Sequence, residues 1–172
     1  MLARGLAVVA AVFMCATASF AQKVEPAHAS IINAEGKTIG DAKILPWHHG
    51  VKIELKVSGL PPGAHAIHIH TVGKCDTPDF KTAGGHFNPD SKQHGKENPQ
   101  GPHAGDLQNI SADANGSAKV TLYDAHATLG GGANSLFHEG GTSLVIHEKA
   151  DDYKTDPAGN SGNRIACGVI QK

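Results

Sequence analysis

The chain has 172 residues, which is long enough for one ordinary domain with a sizeable core and short for two. Its 15 Lys and Arg residues nearly balance its 16 Asp and Glu residues, and the absence of a basic tract with interleaved aromatic side chains argues against a nucleic-acid partner. Glycine is frequent, with 21 residues, whereas aromatic residues make up 5%, a composition typical of a turn-rich β protein.

The N-terminus has the pattern of a secretory leader, residues 1–21. A short positive region and an apolar run precede a small-x-small cleavage sequence at residues 19–21. A cut after Ala18 fits as well, and a lipid anchor at Cys15 is a weaker alternative, because the bulky residue before it does not suit such processing. The apolar run is too short to span a membrane, and no later stretch is long enough. We therefore expect one exported domain, residues 22–172, in the periplasm or outside the cell.

Removal of the leader leaves two cysteines, Cys75 and Cys167. An even pair in an oxidising compartment favours a disulfide, with two buried free thiols as the alternative. Because this bond would close a long loop, it would stabilise the fold by about 2–4 kcal/mol.

Short strands separated by turns are predicted from residue 28 to the end. The clearest is residues 51–57, where apolar and charged side chains alternate, so that the odd-numbered side chains face a core. The other predicted strands are residues 29–33, 37–45, 64–70, 106–112, 118–123, 142–147 and 166–170. Eight strands without a convincing helix predict an all-β fold, an antiparallel barrel or sandwich.

Half of the twelve histidines lie between Gly63 and Asp106. His68 and His70 are two residues apart in a predicted strand, so their imidazoles lie on one face, whereas His65 faces the other way and is predicted to be structural. The remaining metal-ligand candidates follow in a long polar loop: His86, His94, His103 and Asp106. Together these side chains exceed what one tetrahedral ion needs, which predicts two metals.

Several motifs resemble the copper/zinc superoxide dismutases of the secreted bacterial type, over residues 28–170. They are GAHAIHIH at residues 63–70, GGHFNP at 84–89, HG at 94–95, GPHAGDL at 101–107, His147 with Asp151-Asp152, and GNRIACGV at 162–169. Residues 76–81 make the segment between Cys75 and His86 longer than in eukaryotic cytosolic members, and this insertion looks like the bacterial branch.

The resemblance implies an eight-stranded antiparallel Greek-key barrel, an immunoglobulin-like sandwich, with one copper and one zinc per subunit. The implied activity is dismutation of superoxide to dioxygen and hydrogen peroxide by a copper centre that cycles between Cu(II) and Cu(I). The implied copper ligands are His68, His70, His86 and His147. The implied zinc ligands are His86, His94, His103 and Asp106, so that the His86 imidazolate bridges the two metals.

Three further roles follow from the resemblance. Arg164 would hold and orient the small anion, and His86 would leave reduced copper and carry a proton. Asp151 would accept hydrogen bonds from His68 and His94. The second polar loop, residues 152–163, is shorter than in eukaryotic members and lacks their charged cluster. We therefore further expect steering of superoxide by Arg164 together with Lys74, Lys81 or Lys154.

Other classes of protein remain open from the residues alone. A non-catalytic carrier could sequester copper and zinc with the same histidines, but it would need neither Arg164 nor a bridging His86. A β domain stabilised by zinc alone would leave His68, His70 and His147 without a role. A zinc hydrolase would need an open coordination position, and Asp106 is already used as a ligand. The sequence does not distinguish a monomer from a homodimer.

Overall fold

A computed structural model describes residues 24–172, so the predicted leader and its cleavage lie outside the described residues. Within that range the chain forms nine strands and one short 3-10 turn. The strands are β1 Ala27–Asn33, β2 Thr38–Trp47, β3 Gly50–Val57, β4 Gly63–His65, β5 Ile67–His70, β6 Ile110–Ala112, β7 Ala118–Asp124, β8 Ser143–His147 and β9 Arg164–Val169, and the turn is Lys81–Ala83.

Seven strands form one sheet in the order β5-β8-β9-β1-β2-β3-β7, and β4 pairs with β6 in a second sheet. Every strand pair is antiparallel. Three neighbouring pairs, β3 with β7, β5 with β8 and β9 with β1, join strands that are distant in sequence, as Greek-key connections do. The predicted all-β antiparallel fold is confirmed.

The prediction of one strand over residues 64–70 was wrong in one respect, because that strand divides at Ala66. The Ala66 N–H donates to the Lys149 carbonyl, and its own carbonyl accepts from the His147 N–H. The half before Ala66 pairs with β6, and the half after it pairs with β8. This division raises the number of strands among the described residues from the expected eight to nine.

The alternating pattern of residues 51–57 is confirmed by β3. Val51, Ile53, Leu55 and Val57 are at most 4% exposed and belong to the main apolar cluster. Burying each of these side chains stabilises the fold by about 1.5–3 kcal/mol. The same cluster contains Ile67 and Ile69 of β5 and Leu144 and Ile146 of β8, so the histidines that alternate with them lie on the other face of the sheet.

The long loop after β5 has little regular structure, as predicted, but it is tied closely to the sheet. Phe87 N–H donates to the Ile69 carbonyl, and Gly105 N–H donates to the Phe87 carbonyl. The predicted disulfide between Cys75 and Cys167 is present and fastens the loop to β9. Among the described residues, no helix is long and apolar enough to cross a membrane.

Candidate metal centre

His68 and His70 are placed by the alternation of β5. Ile67 and Ile69 point into the main apolar cluster, so the two imidazoles lie together on the opposite side, as predicted. The loop after β5 runs along the edge of β5, since His70 and His86 form an antiparallel bridge there. His65 Nδ1 lies 2.8 Å from the His147 carbonyl, and His65 Nε2 lies 2.7 Å from the Pro61 carbonyl. Both ring nitrogens thus have backbone partners, which confirms the predicted structural role of His65.

Four buried histidines present one nitrogen each to a common point, and we call them the four-histidine set: His68, His70, His86 and His147. One ligand atom from each lies within 4.8 Å of the others. Within residues 24–172, the nitrogens His68 Nδ1, His70 Nε2, His86 Nε2 and His147 Nε2 are buried and have no hydrogen-bond partner. A buried polar atom without a partner is costly, so four of them converging on one point fit a metal ion.

The second nitrogen of each ring in the four-histidine set has a partner. His70 Nδ1 lies 2.9 Å from the Gly84 carbonyl, and His68 Nε2 lies 3.0 Å from Asp151 Oδ2. His147 Nδ1 lies 3.1 Å from Ser161 Oγ. The carboxylate and carbonyl acceptors favour a proton on the partnered nitrogen of His68 and His70, and the Gly162 carbonyl, 3.4 Å from His147 Nδ1, does the same for His147. The other nitrogen of each ring then has its lone pair free for a metal.

The pKa values of the four-histidine set favour the neutral imidazole that ligates metals. Burial is the largest cause in each case, and it lowers the pKa of His86 to about 4 and that of His147 to about 3. Burial also lowers the pKa of His68, and that of His70 lies well below its ordinary value. Soft or borderline metals that prefer imidazole, copper among them, fit this donor set.

A second group of donors surrounds one carboxylate oxygen, and we call it the Asp106 set: His86, His94, His103 and Asp106. Asp106 Oδ1 lies 2.9 Å from His86 Nδ1, 3.0 Å from His94 Nδ1 and 3.3 Å from His103 Nδ1. Ligand atoms of tetrahedral zinc, with bonds of about 2.0–2.1 Å, lie about 3.3 Å apart. The spacing and the donor types of the Asp106 set therefore fit zinc.

The pKa values of Asp106 and His94 are strongly shifted from their ordinary values. Burial opposes ionisation of Asp106, yet the hydrogen bonds from the three imidazoles and from the Gly95 N–H hold its pKa far below the usual range. Burial likewise opposes protonation of His94, but its contacts with Asp106 and Asp151 raise its pKa to about 9. A cation at this position would replace that proton and satisfy the same carboxylate.

His68 also lies close to His86, His94 and Asp106, with one ligand atom of each within 4.8 Å. We nevertheless place His68 in the four-histidine set, because its Nε2 is occupied by Asp151 and only its Nδ1 is free. His103 takes the fourth position of the Asp106 set, since its Nδ1 is 3.3 Å from His86 Nδ1.

Asp151 connects the two sets through two buried hydrogen bonds. Its Oδ2 accepts from His68 Nε2 and its Oδ1 accepts from His94 Nε2, each at 3.0 Å. Gly159 passes directly over this contact with φ +61°, and a Cβ at that position would overlap the Asp151 carboxylate. The close approach and the left-handed backbone both require glycine there.

Arg164 lies beside the four-histidine set. It is the partner of His147 in the antiparallel pairing of β8 and β9. Its Nη2 donates to the Gly84 carbonyl at 2.6 Å, and the same carbonyl faces His70 Nδ1. Burial lowers the pKa of the guanidinium, which still stays charged at any physiological pH because the ordinary pKa of arginine is so high.

Two of the three expected steering lysines have surface partners. Lys81 Nζ lies 2.7 Å from Asp79, and Lys154 Nζ lies 3.1 Å from Glu97. Exposed ion pairs are weak, so both lysines retain part of their long-range field. Lys74 is exposed on the loop after β5.

Three contacts were not predicted from the sequence. Asp156 Oδ1 accepts the His94 N–H at 2.6 Å, Ser161 Oγ contacts His147, and the Phe80 carbonyl accepts from Arg164 Nη1 at 2.7 Å. The polar residue types in the second loop were a weak signal for the first two. For Phe80 no local signal existed, since an aromatic residue in a polar insertion does not indicate where its backbone carbonyl points.

Comparison with known proteins agrees with this geometry. The family model described as copper/zinc superoxide dismutase (SODC) matches residues 30–170. Superoxide dismutase [Cu-Zn] 1 of Aquifex aeolicus is 55% identical over 155 residues, which cover 89% of this chain and 91% of that protein. The chain therefore belongs to the copper/zinc superoxide dismutase family.

Solved structures show the same fold. A SOD-like protein from Bacillus subtilis is 41% identical, with a TM-score of 0.81 over 84% of this chain and 97% of that chain. The Cu/Zn superoxide dismutase from Brucella abortus is 28% identical, with a TM-score of 0.69 over 86% of this chain and 100% of that chain.

Proposed function

We propose that this protein is a copper/zinc superoxide dismutase that converts two superoxide anions and two protons into dioxygen and hydrogen peroxide. The four-histidine set would hold copper, and the Asp106 set would hold zinc. The observation that carries the proposal is the division of His86: its Nε2 faces the four-histidine set without a partner, while its Nδ1 faces Asp106 at 2.9 Å. One imidazole is therefore available to both metals.

Copper would supply the electron exchange, since it takes one electron from the first superoxide and returns it to the second. The residues supply the other requirements of the reaction. Arg164 lies beside the copper ligands, and its fixed positive charge attracts and orients a small anion. Asp151 holds His68 and His94 in the orientation and tautomer that each metal needs.

His86 is suited to hold and release a proton at Nε2. That nitrogen is buried in the four-histidine set without a protein partner, so it could take up a proton and pass it to a reduced oxygen species bound at the same site. Its Nδ1 lies 2.9 Å from Asp106 Oδ1 and so belongs to the Asp106 set. A carrier or storage protein would have no use for this arrangement or for a guanidinium beside the site.

Export is part of the proposal. The Cys75–Cys167 disulfide supports a periplasmic or secreted location, because such bonds persist in oxidising compartments. The removal of residues 1–21 stays a prediction, and the choice between a monomer and a homodimer stays open. N-terminal sequencing of the exported protein and its molar mass in solution would test them.

The central experiment combines metal analysis with a superoxide-decay assay on purified protein. We expect one copper and one zinc per chain, rapid decay of superoxide, and loss of copper and activity in His147→Ala. Zinc without copper in the exported protein would favour the structural role of the histidines. Two bound metals without superoxide decay would favour a metal carrier.

A further inference from the structure

The segment between Cys75 and His86 contains a buried aromatic side chain. Phe80 is 0% exposed, although its neighbours Asp79 and Lys81 are exposed and form an ion pair with each other. Its ring packs in a small apolar cluster, separate from the main one, with Ala83, Val145 and Cys167, and with the partly buried Ile32 and Cys75. The ring thus anchors the loop to β8 and to the disulfide.

The backbone at Phe80 is in the left-handed region, with φ +53°. A residue with a Cβ adopts this conformation at an energetic cost, which the burial of the ring offsets. This conformation directly precedes the 3-10 turn Lys81–Ala83. The buried ring therefore lies at the residue where the turn begins, and the carbonyl groups of Phe80 and Gly84 stand at the two ends of the turn.

Both of those carbonyls hold Arg164. Nη1 donates to the Phe80 carbonyl at 2.7 Å, and Nη2 donates to the Gly84 carbonyl at 2.6 Å. The Phe80 carbonyl also accepts the Ala83 N–H at 3.1 Å, so the turn and the guanidinium share one acceptor. A planar guanidinium held at two nitrogens has a fixed direction.

We propose that Phe80 is a positioning residue for the anion site: its buried ring holds the turn whose carbonyls orient Arg164 toward substrate. This inference rests on the proposed function of Arg164 as the anion-binding group. Loss of the ring would leave the guanidinium charged and present, but free to turn away from the anion. A small displacement of an orienting group is enough to lower a rate severalfold or more.

The test uses copper- and zinc-loaded protein and azide as a small anionic probe of the copper site. Phe80→Ala should raise the azide dissociation constant, followed by the visible absorption of copper, about 3-fold to 10-fold. The rate constant for superoxide decay should fall by a similar factor, with both metal contents unchanged. Phe80→Leu, which keeps an apolar anchor, should stay within about twofold of wild type.

Ile53→Ala is the matched control for a general loss of stability. Ile53 is also 0% exposed, but it lies in β3 and belongs to the main apolar cluster. This variant should lower the melting temperature without changing azide affinity. If Phe80→Ala behaves in the same way, Phe80 only stabilises the fold and the proposal is wrong.

A double mutant shows whether the effect passes through Arg164. In an Arg164→Ala background, the further change Phe80→Ala should leave azide affinity unchanged, because the group that it positions is gone. An equal effect in both backgrounds would overturn the proposal. Loss of copper in Phe80→Ala would also overturn it, because the Gly84 carbonyl faces His70 as well and the turn would then act through that ligand. Azide binding needs no turnover, so this result is independent of whether the wild-type protein dismutates superoxide.

Discussion

Replacement of Asp151 by alanine should weaken both metals at once. The carboxylate is the acceptor for His68 Nε2 and His94 Nε2, each at 3.0 Å, and the side chains of all three residues are at most 1% exposed. A hydrogen bond to a charged group contributes about 1.5–3 kcal/mol, and loss of such a partner typically costs a metal site about 10-fold to 100-fold in affinity. We therefore expect a decrease of that size for copper and for zinc.

Competition with chelators of known affinity, monitored by elemental analysis of the protein, measures both constants. Asp152→Ala is the control, because it removes a charge from the neighbouring residue. The Asp152 carboxylate accepts from the backbone N–H groups of Lys154 and Thr155 and contacts no imidazole. Asp151→Asn keeps one acceptor oxygen and places an NH₂ group where the other stood, so its two losses should be unequal. If Asp151→Ala left either metal within about twofold of wild type, Asp151 would not serve both sites.

Three other changes test separate parts of the molecule. Arg164→Ala should slow superoxide decay about 10-fold to 100-fold with both metals retained, because the substitution removes a charge-assisted contact to the anion. Loss of metal in this variant would assign Arg164 a structural role instead. Burial raises the pKa of Asp124 to about 7. Native Asp124 therefore keeps a proton between about pH 4 and 7, whereas the unfolded chain releases it. The free energy of unfolding falls as pH rises through this window, by up to about 1.4 kcal/mol per pH unit. Asp124→Asn should remove this slope in guanidinium unfolding from pH 5 to 8, and an unchanged slope would refute the burial argument. Replacing Cys75 and Cys167 together by serine should lower the free energy of unfolding by about 2–4 kcal/mol, measured in the same way, whereas no change would mean that the disulfide does not constrain the unfolded chain.

Much of the fold was predictable because it depends on local periodicity. Residues 51–57 alternate without a break, and β3 has that alternation with Ile53 and Leu55 in the core. The two-residue spacing of His68 and His70 predicted that they share a face, and the structure confirms it. The even number of cysteines after removal of the leader predicted the disulfide, which the structure contains.

The division of one predicted strand into β4 and β5 was not predictable from the sequence. Residues 63–70 carry no glycine or proline after Gly63 that would signal a break. The break occurs because the backbone groups of Ala66 bond to Lys149 and His147, both about 80 residues further along the chain. Local side-chain patterns contain no information about such distant partners.

Residue types and short spacings were enough to predict the donor types of the candidate metal centre, the alternation that places His68 and His70 on one face, and the cysteine pair. The packing of distant segments decided which nitrogen of each imidazole is free, because that depends on acceptors such as Asp151, which is 83 residues from His68. It also decided that Phe80 is buried and that its carbonyl, 84 residues from Arg164, holds the guanidinium. Residue types and short spacings follow from local chain geometry, whereas proton positions and the orientation of a charge depend on contacts made when distant segments pack together.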